Sequence, residues 1–156
     1  MQDATVVVTP VRMLYGPQSD SFYTIGGAFL INVGDTDSDG VDDLIILSDP
    51  SGVRIVQLVS GRTGVLRRTI SVSRQAQAAG IGDADGDGSA DFAIGVASSS
   101  TVFAYSGRTG SPLWNVSNSV TNFGAPLAGI GDVNGDGRGD VVVSGGLNVI
   151  FGAAHV

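Results

Sequence analysis

Short apolar runs rich in Val, Ile and Phe recur along the chain, each broken after a few residues by Gly, Ser or Asp. None shows the three-to-four-residue spacing of an amphipathic helix, and runs of this length bounded by turn residues read as strands joined by hairpins. The pattern predicts strands over Ala28–Val33, Leu44–Leu47, Val53–Val59 and Val65–Val72, then over Ala76–Ile81, Phe92–Val96, Thr101–Tyr105 and Pro112–Val116. A third set covers Pro126–Ile130, Val141–Val143 and Asn148–Phe151. The first strand of each set is small and apolar on both faces, as expected of an inner strand in a crowded place. The fourth is the most polar, with Arg67, Arg68 and Asn115, and is expected on the outside.

The sets are copies of one another. GDTDSDGVDDLIIL (34–47), GDADGDGSADFAIG (82–95) and GDVNGDGRGDVVVS (131–144) align directly, with their first Asp at 35, 83 and 132. A second block, VSGRTGVLRRTI from Val59 and YSGRTGSPLWNV from Tyr105, repeats in step with the first at a spacing of 46 residues. A period near 48 residues is a multi-strand unit of the size of a propeller blade. The expected fold is therefore all-β, a β-propeller of four-stranded blades with three blades per chain. The chain divides into an N-terminal closing strand segment (1–21), blade 1 (22–73), blade 2 (74–119) and blade 3 (120–156), which lacks an outer strand of its own.

The N-terminal segment has apolar stretches to spare, Thr5–Thr9 and Val11–Tyr15, and one of them can supply the missing strand. Three blades are too few to close a ring, since propellers have four to eight. Either the chain is a piece of a longer protein or copies associate. The arrangement expected is a homodimer of six blades, each N-terminal strand completing the last blade of its partner.

Composition sharpens the picture. Of 156 residues 24 are Gly, all 15 acidic residues are Asp and all 8 basic residues are Arg. The absence of Glu and Lys removes two good helix formers. A net charge of −7 argues against nucleic acid and against anionic membrane surfaces, and no apolar run is long enough to span a bilayer. Without Cys there is no disulfide and no thiolate site. Basic and apolar leader regions are missing from the first residues, so an extracellular location would require a signal no longer present.

The acidic residues are concentrated in the three repeated loops, each reading Asp-x-Asp/Asn-x-Asp-Gly-x-x-Asp. Carboxylates at positions 1, 3 and 5 of a tight loop converge on a point, which suits the six to eight oxygen ligands of calcium. The candidate ligands are Asp35, Asp37, Asp39, the Val41 carbonyl and Asp43; Asp83, Asp85, Asp87, the Ser89 carbonyl and Asp91; and Asp132, Asn134, Asp136, the Arg138 carbonyl and Asp140. An ordinary Asp/Gly turn is the bland alternative. Three copies in phase, holding eleven of the 15 carboxylates, favour metal; three Ca²⁺ would bring the net charge from −7 to −1. Strands rather than helices flank the loops, and they close on Asp at position 9, which separates them from EF-hands.

The three Asp loops, Phe123-Gly124 ahead of the third inner strand and Ser48-Asp49-Pro50 together resemble the FG-GAP repeats of integrin α-subunit propellers and of many secreted bacterial proteins. The similarity runs from about Phe22 onwards. It implies blades with calcium in the loops between the first and second strands; the millimolar calcium outside cells, needed if the sites are only moderately tight, points to an extracellular or secreted protein.

Other signals are weaker. Arg138-Gly139-Asp140 spells an adhesive tripeptide but lies inside the third loop. Asn115-Val116-Ser117 is a glycosylation sequon, and Gly129-Ile130-Gly131 lacks the rest of a dinucleotide fingerprint. With His155 as the single His and no Cys, Glu or Lys, no nucleophile–base pair stands out, and an enzyme is not expected. Trp114 is expected to pack between blades, and Arg62 and Arg108 to serve the metal end structurally. A ligand face, if there is one, would be formed by Ser48–Gly52, Ser98–Ser100 and Asn118–Phe123. The functional expectation is a calcium-stapled interaction module for a protein or glycan ligand; the alternatives are a propeller lectin or an accessory part of a larger extracellular protein.

Overall fold

The computed structural model describes residues 29–49, 53–73, 75–145 and 148–152. Within them the chain forms eleven strands and a single 3₁₀ turn, Ala97–Ser99. The strands are β1 Phe29–Gly34, β2 Asp43–Ser48, β3 Arg54–Val59, β4 Leu66–Val72, β5 Ala76–Gly82, β6 Asp91–Val96, β7 Thr101–Tyr105, β8 Pro112–Ser117, β9 Leu127–Gly131, β10 Asp140–Gly145 and β11 Asn148–Gly152. Every strand predicted from the pattern is present, with ends displaced by at most two residues. The N-terminal closing segment, residues 1–21, lies outside the described residues. Among the described residues no helix is long and apolar enough to cross a membrane.

The strands form three antiparallel sheets, each a simple meander: β1-β2-β3-β4, β5-β6-β7-β8 and, with three strands, β9-β10-β11. Each strand pairs with the next in its sheet because the connections between them bring the chain back alongside itself, the longest being the eight-residue Asp loops. The middle sheet is covered on both faces. Ala76, Ala78, Phe92, Ile94 and Val96 pack towards the first sheet, against Val33, Ile45, Leu47, Val56 and Leu58. Ala79, Ile81, Ala93, Val102 and Ala104 pack towards the third, against Phe123, Leu127, Val141 and Val143. The alternation of neighbours between two cores is the period-2 geometry of a strand, and burial on both faces explains why β6 is buried throughout. Phe92, fully buried, stacks on Tyr105 at a centroid distance of 5.5 Å. Trp114 packs against the second core, as expected of it. The outer strands β4 and β8 are the most exposed of their sheets.

The first strands of successive sheets lie side by side, β5 between β1 and β9. Their small residues make that approach possible. A Cβ on Gly80 would stand 2.7 Å from Val33 Cα, and one on Gly129 would stand 2.0 Å from the Gly80 carbonyl oxygen. Each first strand then ends in the same bulge, with the register shifting at Asn32/Gly34, at Gly80/Gly82 and at Asp140/Val141 opposite Gly131. The bulge turns the chain out of the sheet and into the Asp loop.

Gly129→Ala should therefore destabilise the protein by about 3 kcal/mol, because backbone rather than a flexible side chain must give way. Gly131→Ala has open space around it but a φ of +71°, and should cost about 1 kcal/mol. Urea denaturation of the two variants checks the order; equal losses would mean that the inner strands are not held in contact.

Candidate metal centre

Each Asp loop is organised by its own first carboxylate. Asp83 accepts N–H bonds from Gly86 (2.6 Å), Asp87 (3.1 Å) and Gly88 (2.9 Å). Asp132 does the same with Gly135 (2.7 Å), Asp136 (3.1 Å) and Gly137 (2.8 Å), and Asp35 with Asp37 (3.3 Å), Asp39 (3.0 Å) and Gly40 (2.7 Å). These donors curl the loop around the carboxylate, and the Gly40 N–H in particular holds the Asp35 carboxyl below its usual range.

The aspartate at position 9 has a different task. It opens the second strand of each sheet, and its side chain is buried: Asp43 and Asp91 fully, Asp140 nearly so. One oxygen accepts the N–H of position 2, from Thr36 (3.1 Å), Ala84 (2.8 Å) and Val133 (2.9 Å). In the first two sheets the other oxygen accepts the N–H of the first glycine of the Gly-Arg-Thr-Gly turn, Gly61 (2.8 Å) or Gly107 (2.9 Å). That glycine has no room for a side chain; a Cβ on Gly107 would lie 1.9 Å from the Ala90 carbonyl oxygen. The two repeated blocks run in step because one carboxylate binds both.

The turn arginines also face this end. Arg62 pairs with Asp39 at 3.0 Å, and Arg108 lies 3.6 Å from Asp87 and donates to Ser89 Oγ (3.1 Å). Successive loops are linked through backbone as well. The Asp35 carbonyl accepts from Ala90 N–H (2.9 Å), and the Asp83 carbonyl from Gly139 N–H (2.8 Å). Arg138 donates to the Ala84 carbonyl at 3.0 Å, so the residues of the Arg-Gly-Asp tripeptide are engaged within the fold.

Of the predicted ligands, Asp35, Asp37 and Asp39 bring carboxylate oxygens within 4.8 Å of one another, and so do Asp83, Asp85 and Asp91. Asp43 and Asp87 do not belong to these groups, and the third loop, with Asn134 at position 3, contributes no such group of carboxylates. The groups fit a hard cation. Asp37 Oδ1 is buried without a hydrogen-bond partner, a costly state for a carboxylate oxygen unless something positive lies against it. Burial, reinforced by the neighbouring Asp43, pushes the Asp37 carboxyl above its usual range. Burial likewise pushes Asp91 up to about 6, with a smaller push from Asp85, against the pull of N–H groups from Gly107, Ala84 and Asp85.

Sequence reasoning missed Thr36, whose hydroxyl donates to Asp43, and Arg67, which reaches the same carboxylate. No local motif marks Thr36; Arg67 differs from its counterpart in the second repeat, Leu113, and that difference was the available signal. Comparison with known proteins finds no matching family model and no matching curated protein.

The raised carboxyls set the sign of the pH dependence without metal. A folded-state value near 6, above the ordinary 3.8, means that the folded chain holds the Asp91 proton more tightly than the unfolded one. Stability of the EDTA-treated protein should then increase by on the order of 2 kcal/mol as pH falls from about 7 to about 4. Asp37 acts in the same direction. Asp35, shifted downward, opposes it only below 3.8. Urea midpoints across this interval check the sign; a midpoint that falls with pH would mean that the N–H donors outweigh burial at Asp91.

Proposed function

We propose that the chain is a non-enzymatic, calcium-binding β-propeller module of the FG-GAP type, whose Asp loops hold structural Ca²⁺ at one end of successive blades. The observation that carries this reading is the pair of carboxylate groups with a buried, unpartnered oxygen at Asp37. Asp35, Asp37 and Asp39 would hold one ion, and Asp83, Asp85 and Asp91 another; Asp132, Asn134 and Asp136 occupy the corresponding positions of the third loop. Bound calcium supplies charge neutralisation and a rigid oxygen cage rather than chemistry. Calcium is favoured over magnesium because the ligands are all oxygen and sit on pliable loops. Modules of this kind work at the ~10⁻⁴ to 10⁻³ M calcium found outside cells, which fits a secreted protein.

The assembled ring is proposed to present its loops to a protein or glycan. Two features favour association of copies into a six-bladed ring. The third sheet has only three strands among the described residues, leaving β11 at its edge, and Phe29 and Leu30 on the first sheet are exposed at 56% and 68%. An uncovered strand edge and exposed apolar side chains invite a partner.

Calcium should stabilise the fold by about 2.7 kcal/mol for each site held at a hundredfold excess over its Kd, and EDTA should reverse the gain. Asp37→Asn separates metal binding from folding. It should cost no more than about 1 kcal/mol without calcium, since Asp37 keeps only a long ion pair to Arg67 (3.7 Å), yet should reduce the calcium-induced rise in Tm. Calorimetric titration and melting curves test both points; a Tm indifferent to calcium and EDTA would falsify the reading. Light scattering in calcium should give twice the mass of one chain.

A further inference from the structure

The first two loops share the aspartates at positions 1, 3, 5 and 9 and the Gly at position 6, yet assemble different carboxylates: the second gathers its position-9 residue, Asp91, while the first leaves out Asp43. Two side chains on Asp43 have no counterpart at Asp91: Thr36, where the second loop has Ala84, and Arg67, where the second repeat has Leu113. In β4 the register with β3 passes from Leu58↔Arg68 to Val59↔Leu66, so Arg67 is the extra residue of a bulge. In β8 the register passes from Ala104↔Trp114 to Tyr105↔Pro112, so Leu113 is the extra residue of the equivalent bulge. A bulge re-aims the side chain it carries. Leu113 packs against the second hydrophobic core. Arg67 instead places Nη1 3.1 Å from Asp43 Oδ2 and 3.7 Å from Asp37 Oδ2, and donates to Thr36 Oγ1. Its Nη2 lies 3.4 Å from the Gly107 carbonyl and 3.5 Å from that of Arg108, so the guanidinium is also held by the next sheet.

We propose that Arg67 is a resident countercharge that makes the Asp35/Asp37/Asp39 site the weaker of the two calcium sites, by engaging Asp43 and facing Asp37. This rests on the calcium reading above. A fixed positive charge beside two of the loop's carboxylates opposes a divalent ion, while the second loop meets the ion with no such charge at the equivalent bulge. The two sites then load at different calcium concentrations, the second sheet's first, with a ratio of Kd on the order of tenfold or more. Arg67 is thus a residue that sets affinity from outside the ligand set, and it couples the first site to the boundary between two sheets.

The backbone amides of Gly40, Gly88 and Gly137, at position 6 of their loops, report each loop separately in a two-dimensional NMR titration with calcium. In the natural chain the Gly88 signal should reach saturation at a calcium concentration roughly tenfold or more below that for Gly40. Arg67→Gln, which retains a donor but not the charge, should tighten the Gly40 response and leave that of Gly88 in place. Simultaneous saturation of Gly40 and Gly88, or earlier saturation of Gly40, overturns the proposal. So does a gap that survives Arg67→Gln. The order seen in the natural chain decides the matter if the variant does not fold. If no loop signal moves, the calcium reading itself has failed and this inference with it. A calcium response without the gap leaves that reading standing and sinks only the role of Arg67.

Discussion

Much of the structure depends on one buried carboxylate per repeat. The position-9 aspartate opens the second strand, receives the N–H at the start of its loop and, in the first two sheets, receives the first N–H of the turn between the third and fourth strands. Strand, loop and turn are thereby joined at a point shielded from water. Hydrogen bonds to a charged acceptor are stronger than neutral ones, and an unmet N–H in such a place is costly. The carboxylate therefore defines the geometry of that end of the sheet as much as the apolar core defines its middle. Backbone donors to the first and last aspartates also offset part of the negative charge that each loop concentrates.

The same economy appears between sheets. Successive first strands touch backbone to backbone, and the carbonyl of the first aspartate in one loop accepts from an N–H near the end of the next. Arg67, Arg108 and Arg138 reach across the same boundaries. The sheets are held together by apolar packing in the middle and by polar cross-links at the loop end. Under the proposed calcium reading, an ion held by one loop would act on residues already tied to the neighbouring sheet, which would couple metal binding to the packing of adjacent sheets.

The strands were legible in the sequence because their signal is local: Gly-bounded runs such as Phe92–Val96 leave little choice of element, and the repeat supports the first three strands of a unit twice more and the fourth once. The loops were legible for the same reason. What the pattern could not show was the division of labour among the aspartates. Asp35 and Asp43 look alike in sequence, but one curls its own loop while the other is fully buried and bound to a turn 18 residues away. That distinction comes from long-range contacts. The step between the two repeated blocks was a trace of it, since a carboxylate shared by two segments keeps them in register.

Arg67 shows how such a repeat can diverge without losing its fold. At the bulge in the fourth strand, a residue can turn towards the core, as Leu113 does, or towards the loop, as Arg67 does. Either choice leaves the ladder intact, because the bulged residue is outside the strand pairing. Its charge, however, is felt by Asp43, whose position is Asp in every copy, and by Asp37, whose position is Asn134 in the third. Under the role proposed for Arg67, a position free of hydrogen-bonding duty in the sheet and close to the loop is where one substitution would change the ion affinity of one loop and spare the others. Loops that share their aspartates thus need not make equivalent sites: a side chain carried by a different strand, Arg67 in the first sheet and Leu113 in the second, decides whether a positive charge faces those carboxylates.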